Sequence, residues 1–206
     1  LDESPAIRAS LTSILAHQCM RAARGQRDML GLLSERRLSA EAYASAVAGT
    51  TVSFFSLPVQ GSAVLAGYSE GEARLIGDSF LPIGHIFQVQ DDILDLYGDK
   101  GRGKRGSDLR DGKVSALVVE HLRRCPQDSE WLLGVLETPR DSTPDREVDR
   151  AIVRFRQSGA LNQCLHDIDT TSKALLESPL LSQHQWVGSL AAEFVNLVIG
   201  PLRALK

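Results

Sequence analysis

Cysteine is scarce in this chain: Cys19, Cys125 and Cys164 are the only three in 206 residues. An odd number, spread far apart and without a histidine at ligand spacing, points to neither a disulfide framework nor a zinc site, and makes a reducing cytoplasm the default compartment. Strand-like alternation is nearly absent, which argues against a sheet. No apolar run reaches the roughly 18 residues of a membrane-spanning helix, and no signal peptide is visible. The first residue is Leu1 rather than Met, so whatever precedes it is out of sight. Basic and acidic residues nearly balance at a formal charge of −3, and nothing in that balance asks for nucleic acid. Repeats and low-complexity tracts are also missing. His17, His85, His121, His166 and His184 are scattered and read as packing or surface groups.

What is present is helical. With 206 residues and 43% apolar content, the chain fits one domain, residues 1–206, with one good core. Ser4-Pro5 forms an N-cap and first-turn pair, and Ile7, Leu11, Leu15 and Cys19 then recur every four residues, predicting a helix to about Leu33. Ser39 and Glu41 open a second helix running to Gly67, bent at Pro58. Ser69 and Glu72 form a capping-box pattern that opens a central helix, kinked at Pro82 and ending after Tyr97. Short helices are expected over Val114 to Leu122 and Asp128 to Leu136, with Thr138 to Pro144 as an exposed loop. Apolar stripes at Val148, Ile152 and Phe155, at Leu161, Leu165, Ile168 and Leu175, and at Trp186, Leu190, Phe194 and Leu197 predict core-facing helices to the end of the chain.

The chemistry concentrates at residues 87–95. On a helix, Asp91 and Asp95 lie one turn apart, Asp92 stands about 100° round from Asp91, and Gln88 is three and four residues before the pair. Their neighbours Ile86, Phe87, Ile93, Leu94 and Leu96 are apolar, so the acids crowd one face of a buried helix. Like charges at this spacing repel, more so as water is removed, and a hard divalent cation relieves the repulsion. Oxygen ligands favour Mg2+, Ca2+ or Mn2+. Directly behind, between Gly98 and Ser107, four glycines interleave with Lys100, Arg102, Lys104 and Arg105. Glycine lets backbone approach an anion and the basic residues supply charge, which points to phosphate; Lys113 follows at the expected start of the next helix.

This order of residues resembles a known family. Gly84, Phe87, Gln88, Asp91, Asp92 and Asp95, followed by Gly98-Asp99, Gly103-Lys104, Gly106, Asp108-Leu109 and Gly112-Lys113, is similar to the second aspartate-rich motif and trailing loop of the trans-isoprenyl diphosphate synthases, the polyprenyl synthetases that include farnesyl and geranylgeranyl diphosphate synthases. Gly25-Gln26 and Gly49-Thr50 stand where the family carries a Gly-Gln pair and a Lys-Thr pair; the threonine is kept and the lysine is not. Nothing before Gly25 resembles the family's first aspartate-rich motif.

The resemblance implies an all-α bundle of the isoprenoid-synthase type with a central cavity, apparently lacking its N-terminal helices. It further implies a prenyltransferase that condenses isopentenyl diphosphate with an allylic diphosphate by Mg2+-assisted ionisation. Carried over position by position, Asp91, Asp92 and Asp95 would bind Mg2+; Thr50, Gln88, Lys104 and Lys113 would contact the allylic diphosphate; and Asp91, Asp92 and Lys104 would carry the catalysis. A homodimer, or a heteromer with a related chain, is the expected assembly. Two alternatives stand beside this reading: a non-catalytic regulatory subunit of a heteromeric synthase, suggested by the missing lysine and first motif, and a class I terpene cyclase. The cyclase is weakest, because Asn162 and Asn196 lack the setting of the Asn, Ser and Glu metal triad of that class.

Overall fold

A computed structural model describes residues 3–98 and 104–205, and every regular element among them is helical. Helix α1 covers Pro5–Ser34, with the Ser4 hydroxyl accepting from the Ile7 N–H as its cap. Ile7, Leu11 and Ile14 pack on the core, but Leu15 and Cys19 of the expected stripe are exposed. The helix buries Gln18, Gly25, Gly31 and Leu32 instead. Small residues on that face let a neighbouring backbone come close.

That neighbour is the second helical stretch, which is not one bent helix. Helix α2, Ala40–Val47, gives way to a π-helical turn over Ala48–Val52 and resumes as α3, Ser53–Leu65, which holds Pro58 in its interior. The π turn lies where α1 presses hardest. A Cβ added to Gly25 would stand 2.6 Å from the Thr50 nitrogen, and one added to Gly49 would stand 2.7 Å from the Gly25 Cα. Two bare backbones therefore cross here.

The expected central helix is two helices. Helix α4, Glu70–Asp78, opens with the full capping box of Ser69 and Glu72, and α5 is Leu81–Tyr97. Pro82 sits in the first turn of α5 rather than inside a continuous helix; without an N–H it fits a helix start, where that donor would be unpaired. Helix α5 is the axis of the molecule, packing against the π turn, α3 and the later helices. Ile83, Ile86 and Ile93 on it are fully buried.

Next come the short α6, Ser107–Arg110, and α7, Ala116–Arg124, so Lys113 lies in the connection ahead of α7 rather than at its start. A 3-10 turn at Pro126–Asp128 leads into α8, Ser129–Glu137. The stretch expected as exposed loop contains another such turn, Arg140–Ser142, and buries Thr143. Helices α9, Asp145–Gln157, and α10, Ala160–Leu176, meet at Gly159, whose φ of 78° is left-handed. The chain closes with α11, Pro179–Gln183, and α12, Gln185–Ile199. On α12 Val187, Ala191, Val195 and Val198 are buried; of the expected stripe Leu190 and Phe194 pack half-buried against the core, and Trp186 and Leu197 are exposed. Residues 40–65 and 185–205 are long and apolar enough to cross a membrane by length and composition, contrary to the sequence expectation. Both stretches contribute to the core cluster, and core helices of ordinary globular domains meet the same measure.

Candidate active site

Asp92 is the best-anchored acid on α5. Its side chain is 0% exposed, and a carboxylate so buried is costly unless donors surround it. Four do. Oδ2 accepts from Tyr43 Oη at 2.7 Å and from the Ala116 N–H at 2.8 Å; Oδ1 accepts from Gln88 Nε2 at 2.8 Å and Lys113 Nζ at 3.1 Å. Ala116 opens α7, so Asp92 also faces the positive end of that helix. Burial, then the Asp92 charge, raises the Tyr43 phenol well above its ordinary value and keeps it a donor.

Asp95 is engaged elsewhere. Its carboxylate accepts from Ser107 Oγ at 2.5 Å and from the Asp108 N–H at 3.0 Å, while its backbone carbonyl takes the Gly106 N–H. It thereby closes the loop onto the start of α6, where Gly106 at φ 74° supplies no side-chain cap. Gly106 is glycine for two reasons: the left-handed backbone, and a Val148 methyl that would lie 2.5 Å from any Cβ.

The folded loop delivers a different acid to the motif. Oxygens of Asp91, Asp92 and Asp108 lie within 4.8 Å of one another, a set that does not include Asp95. Lys113 Nζ bridges two of them, at 3.1 Å from Asp92 and 2.9 Å from Asp108. Burial opposes the Lys113 charge, but Asp92 and Asp108 outweigh it and hold the ammonium protonated. Asp108 is pushed up to about 6, first by burial and further by the nearby Asp92, with Lys113 pulling the other way. A hard, all-oxygen set of three carboxylates fits a Mg2+-class ion.

Gln88 and Lys113 face a cavity of about 720 Å³ that Gln26, Met29, Thr50 and Thr51 also line. Three of the four expected diphosphate contacts thus share one space. Within it, Thr50 Oγ1 leans back on the Ala46 and Val47 carbonyls at 3.4 Å, whereas Thr51 Oγ1 donates to Gln88 Oε1. Gln88 therefore ties the π turn to Asp92. Lys104 does not join them: it is exposed, and lines a separate cavity of about 350 Å³ with Arg105, Arg110 and Asp145. Lys100 and Arg102, the centre of the basic loop, fall outside the described residues. Sequence reasoning missed Tyr43 and Thr51, whose partners lie 49 and 37 residues away. Asp108 carried a signal in its Asp-Leu position of the motif, but no sign of joining the acids.

Residues 3–154 match the sequence model of the family described as polyprenyl synthetase. Among curated proteins, the chain is 28% identical over 151 residues to a short chain isoprenyl diphosphate synthase of Methanothermobacter thermautotrophicus, an alignment covering 72% of this chain and 45% of the relative. It is 38% identical over 107 residues to the farnesyl pyrophosphate synthase of Bos taurus, covering 50% of this chain and 29% of that one. The chain thus spans less than half the length of these relatives. Among solved structures, a geranylgeranyl pyrophosphate synthase superposes at a TM-score of 0.84 with 20% identity, over 97% of this chain and 63% of the other. A geranylgeranyl pyrophosphate synthase from Corynebacterium glutamicum, complexed with isoprenyl diphosphate and magnesium, does so at 0.81 with 21% identity, over 95% and 56%. At such identities the superpositions speak for the all-α fold.

Proposed function

Because this chain belongs to the polyprenyl synthetase family, the trans-prenyl diphosphate synthases, we propose that it carries the diphosphate-ionising half of a prenyltransferase site, joining isopentenyl diphosphate to an allylic diphosphate. The observation that carries the reading is the carboxylate group of Asp91, Asp92 and Asp108, which shares Gln88 and Lys113 with the cavity beside it.

In this reading Asp91, Asp92 and Asp108 would hold Mg2+, which when bound would supply positive charge to stabilise the departing diphosphate. Asp95, counted among the metal ligands by its motif position, serves instead to fix α6 so that Asp108 points at its partners. Lys113 offers a permanently charged donor to the diphosphate, with Thr50 and the Gln88–Thr51 pair on the cavity wall. Lys104, exposed beside a separate cavity, belongs to the diphosphate contacts by its motif position alone. Met29 and Leu33 on α1 give the cavity apolar walls that keep water from the allylic cation. No side chain acts as nucleophile; the isopentenyl double bond does. The same reading places the chain in the cytoplasm, assembled with a second copy or a related chain.

One observation favours a second reading, a non-catalytic subunit that tunes a partner synthase. At Gly49 the Gly25 backbone leaves no room for a Cβ, so the cation that the family places before Thr50 has no seat. One experiment separates the two. The chain is incubated with Mg2+, isopentenyl diphosphate and a ladder of allylic diphosphates, and products are read by mass spectrometry beside Asp91→Asn. Extension by the chain alone, abolished by the substitution, is the expected result; extension only after a related synthase is added would establish the subunit reading.

A further inference from the structure

At the far end of α7 from Asp92 lies a second group of metal-binding side chains, of a different chemical character. His121, Cys125 and Asp128 bring one ligand atom each to within 4.8 Å of one another. The first two are one helical turn apart, and the 3-10 turn at Pro126–Asp128 folds the aspartate back onto them. The sequence expectation that no cysteine stands at ligand spacing from a histidine fails here. His121 is fully buried, Asp128 is 7% exposed, and Cys125 is half-buried at the open side.

We propose that His121 Nε2, Cys125 Sγ and an Asp128 carboxylate oxygen bind one thiophilic divalent cation of the zinc class, held apart from the oxygen-only site at the other end of the nine-residue α7. The spacing suits it. Nitrogen and oxygen ligands at about 2.0 to 2.1 Å from a tetrahedral zinc stand about 3.3 Å from each other, and His121 Nε2 lies 3.0 Å from Asp128 Oδ2.

The surroundings orient these ligands as outer partners of a metal do. His121 Nδ1 lies 2.9 Å from Ser158 Oγ, and that hydroxyl in turn donates to the Phe155 carbonyl at 3.3 Å. A serine has one proton to give: directed at Phe155 it leaves the oxygen to accept from His121 Nδ1–H, and directed at Nδ1 it leaves Nε2–H to donate to Asp128 Oδ2. With Nδ1 protonated, the ring turns its Nε2 lone pair to the same side as the Asp128 carboxylate and the Cys125 sulfur, and the ion would replace the Nε2–H···Oδ2 hydrogen bond of the other tautomer. Arg154 Nη1 reaches both Asp128 oxygens, at 3.2 and 3.1 Å, and keeps one of them when the other turns to the ion. The α7 C-terminal end, where carbonyls point outward, favours a cation as well. Ligand softness separates the two sites: thiolate and imidazole select zinc-like ions, whereas the Asp91, Asp92 and Asp108 set selects Mg2+.

The test is titration of the full chain with Co2+ in excess Mg2+, followed by absorbance. One Co2+ per chain is expected, with a thiolate-to-cobalt charge-transfer band that Zn2+ abolishes. Cys125→Ser should lose the band, Cys19→Ser should keep it, and Ser158→Ala should keep it with affinity roughly 10- to 100-fold weaker, as for loss of an outer partner of a ligating histidine. Circular dichroism confirms that each variant is folded. No band at any cobalt concentration, a band unchanged by Cys125→Ser, or one that disappears with Cys19→Ser would overturn the proposal.

Discussion

The two walls of the candidate cavity are built on opposite principles. The α5 wall is a web of charges: Asp92 takes four donors drawn from α2, α5, α7 and the segment before α7, and Asp95 takes two more from the start of α6. The α1 wall owes its form to missing atoms, because Gly25 and Gly49 let two backbones touch and leave Thr50 and Thr51 facing inward. A charged web fixes positions directionally and fails sharply when one member is lost. A bare crossing sets only a distance, and fails when something is added.

Removing the centre of the web should be the most damaging change. Asp92→Ala leaves the Lys113 ammonium, the Tyr43 hydroxyl and the Ala116 N–H short of an acceptor, and a buried ionic partner lost in this way costs about 3 to 5 kcal/mol; urea denaturation with the midpoint compared to the parent chain measures it. Tyr43→Phe takes away one donor to the carboxylate and should cost about 1.5 to 3 kcal/mol, by the same measurement. On the other wall, Gly25→Ala drives a methyl against the Thr50 backbone and should cost about 1 to 3 kcal/mol. Thermal melts of all three variants would erase the contrast between the walls if Gly25→Ala proved as severe as Asp92→Ala.

The smallest expected effect is a slope with pH. Asp108 is pushed up to about 6 in the folded chain, above the roughly 3.9 of an unfolded aspartate. The folded state therefore binds more protons between these values, so the contribution of Asp108 is fully present below about 4 and is lost as pH rises through about 6. The difference in urea midpoint between the parent and Asp108→Asn, measured across that window, should shrink with falling pH, and saturating Mg2+ should change the parent more than the variant.

Local signals read cleanly from sequence. The Ser4-Pro5 start, the Ser69 and Glu72 box, and the acids on α5 all depend on residues within one turn of each other. Spacing told which acids share a face, but not where each carboxylate is spent. Asp95 answers to Ser107 and Asp108 across a loop, and Tyr43 reaches Asp92 from another helix. The split between α4 and α5 was missed because Pro82 suits both a kink and a first turn. The stripe on α12 was half right: Leu190 and Phe194 do pack on the core, but the deepest contact is at small Ala191, which size alone does not announce.

The π turn at Ala48–Val52 has a consequence for the whole stretch from residue 40 to 65. It sets two helical wheels out of phase on one axle: α2 turns Tyr43 towards α5 while packing on α1 and α7, and α3 turns Ser56, Val59 and Ala63 towards its own neighbour α4. Deleting a single residue there would bring the wheels back into phase, swinging one against the other by about 100°. Either the phenol would leave Asp92 or the α3 core face would leave α4. One extra residue of winding lets a single rod serve the anchoring of Asp92 at one end and the packing of the bundle at the other.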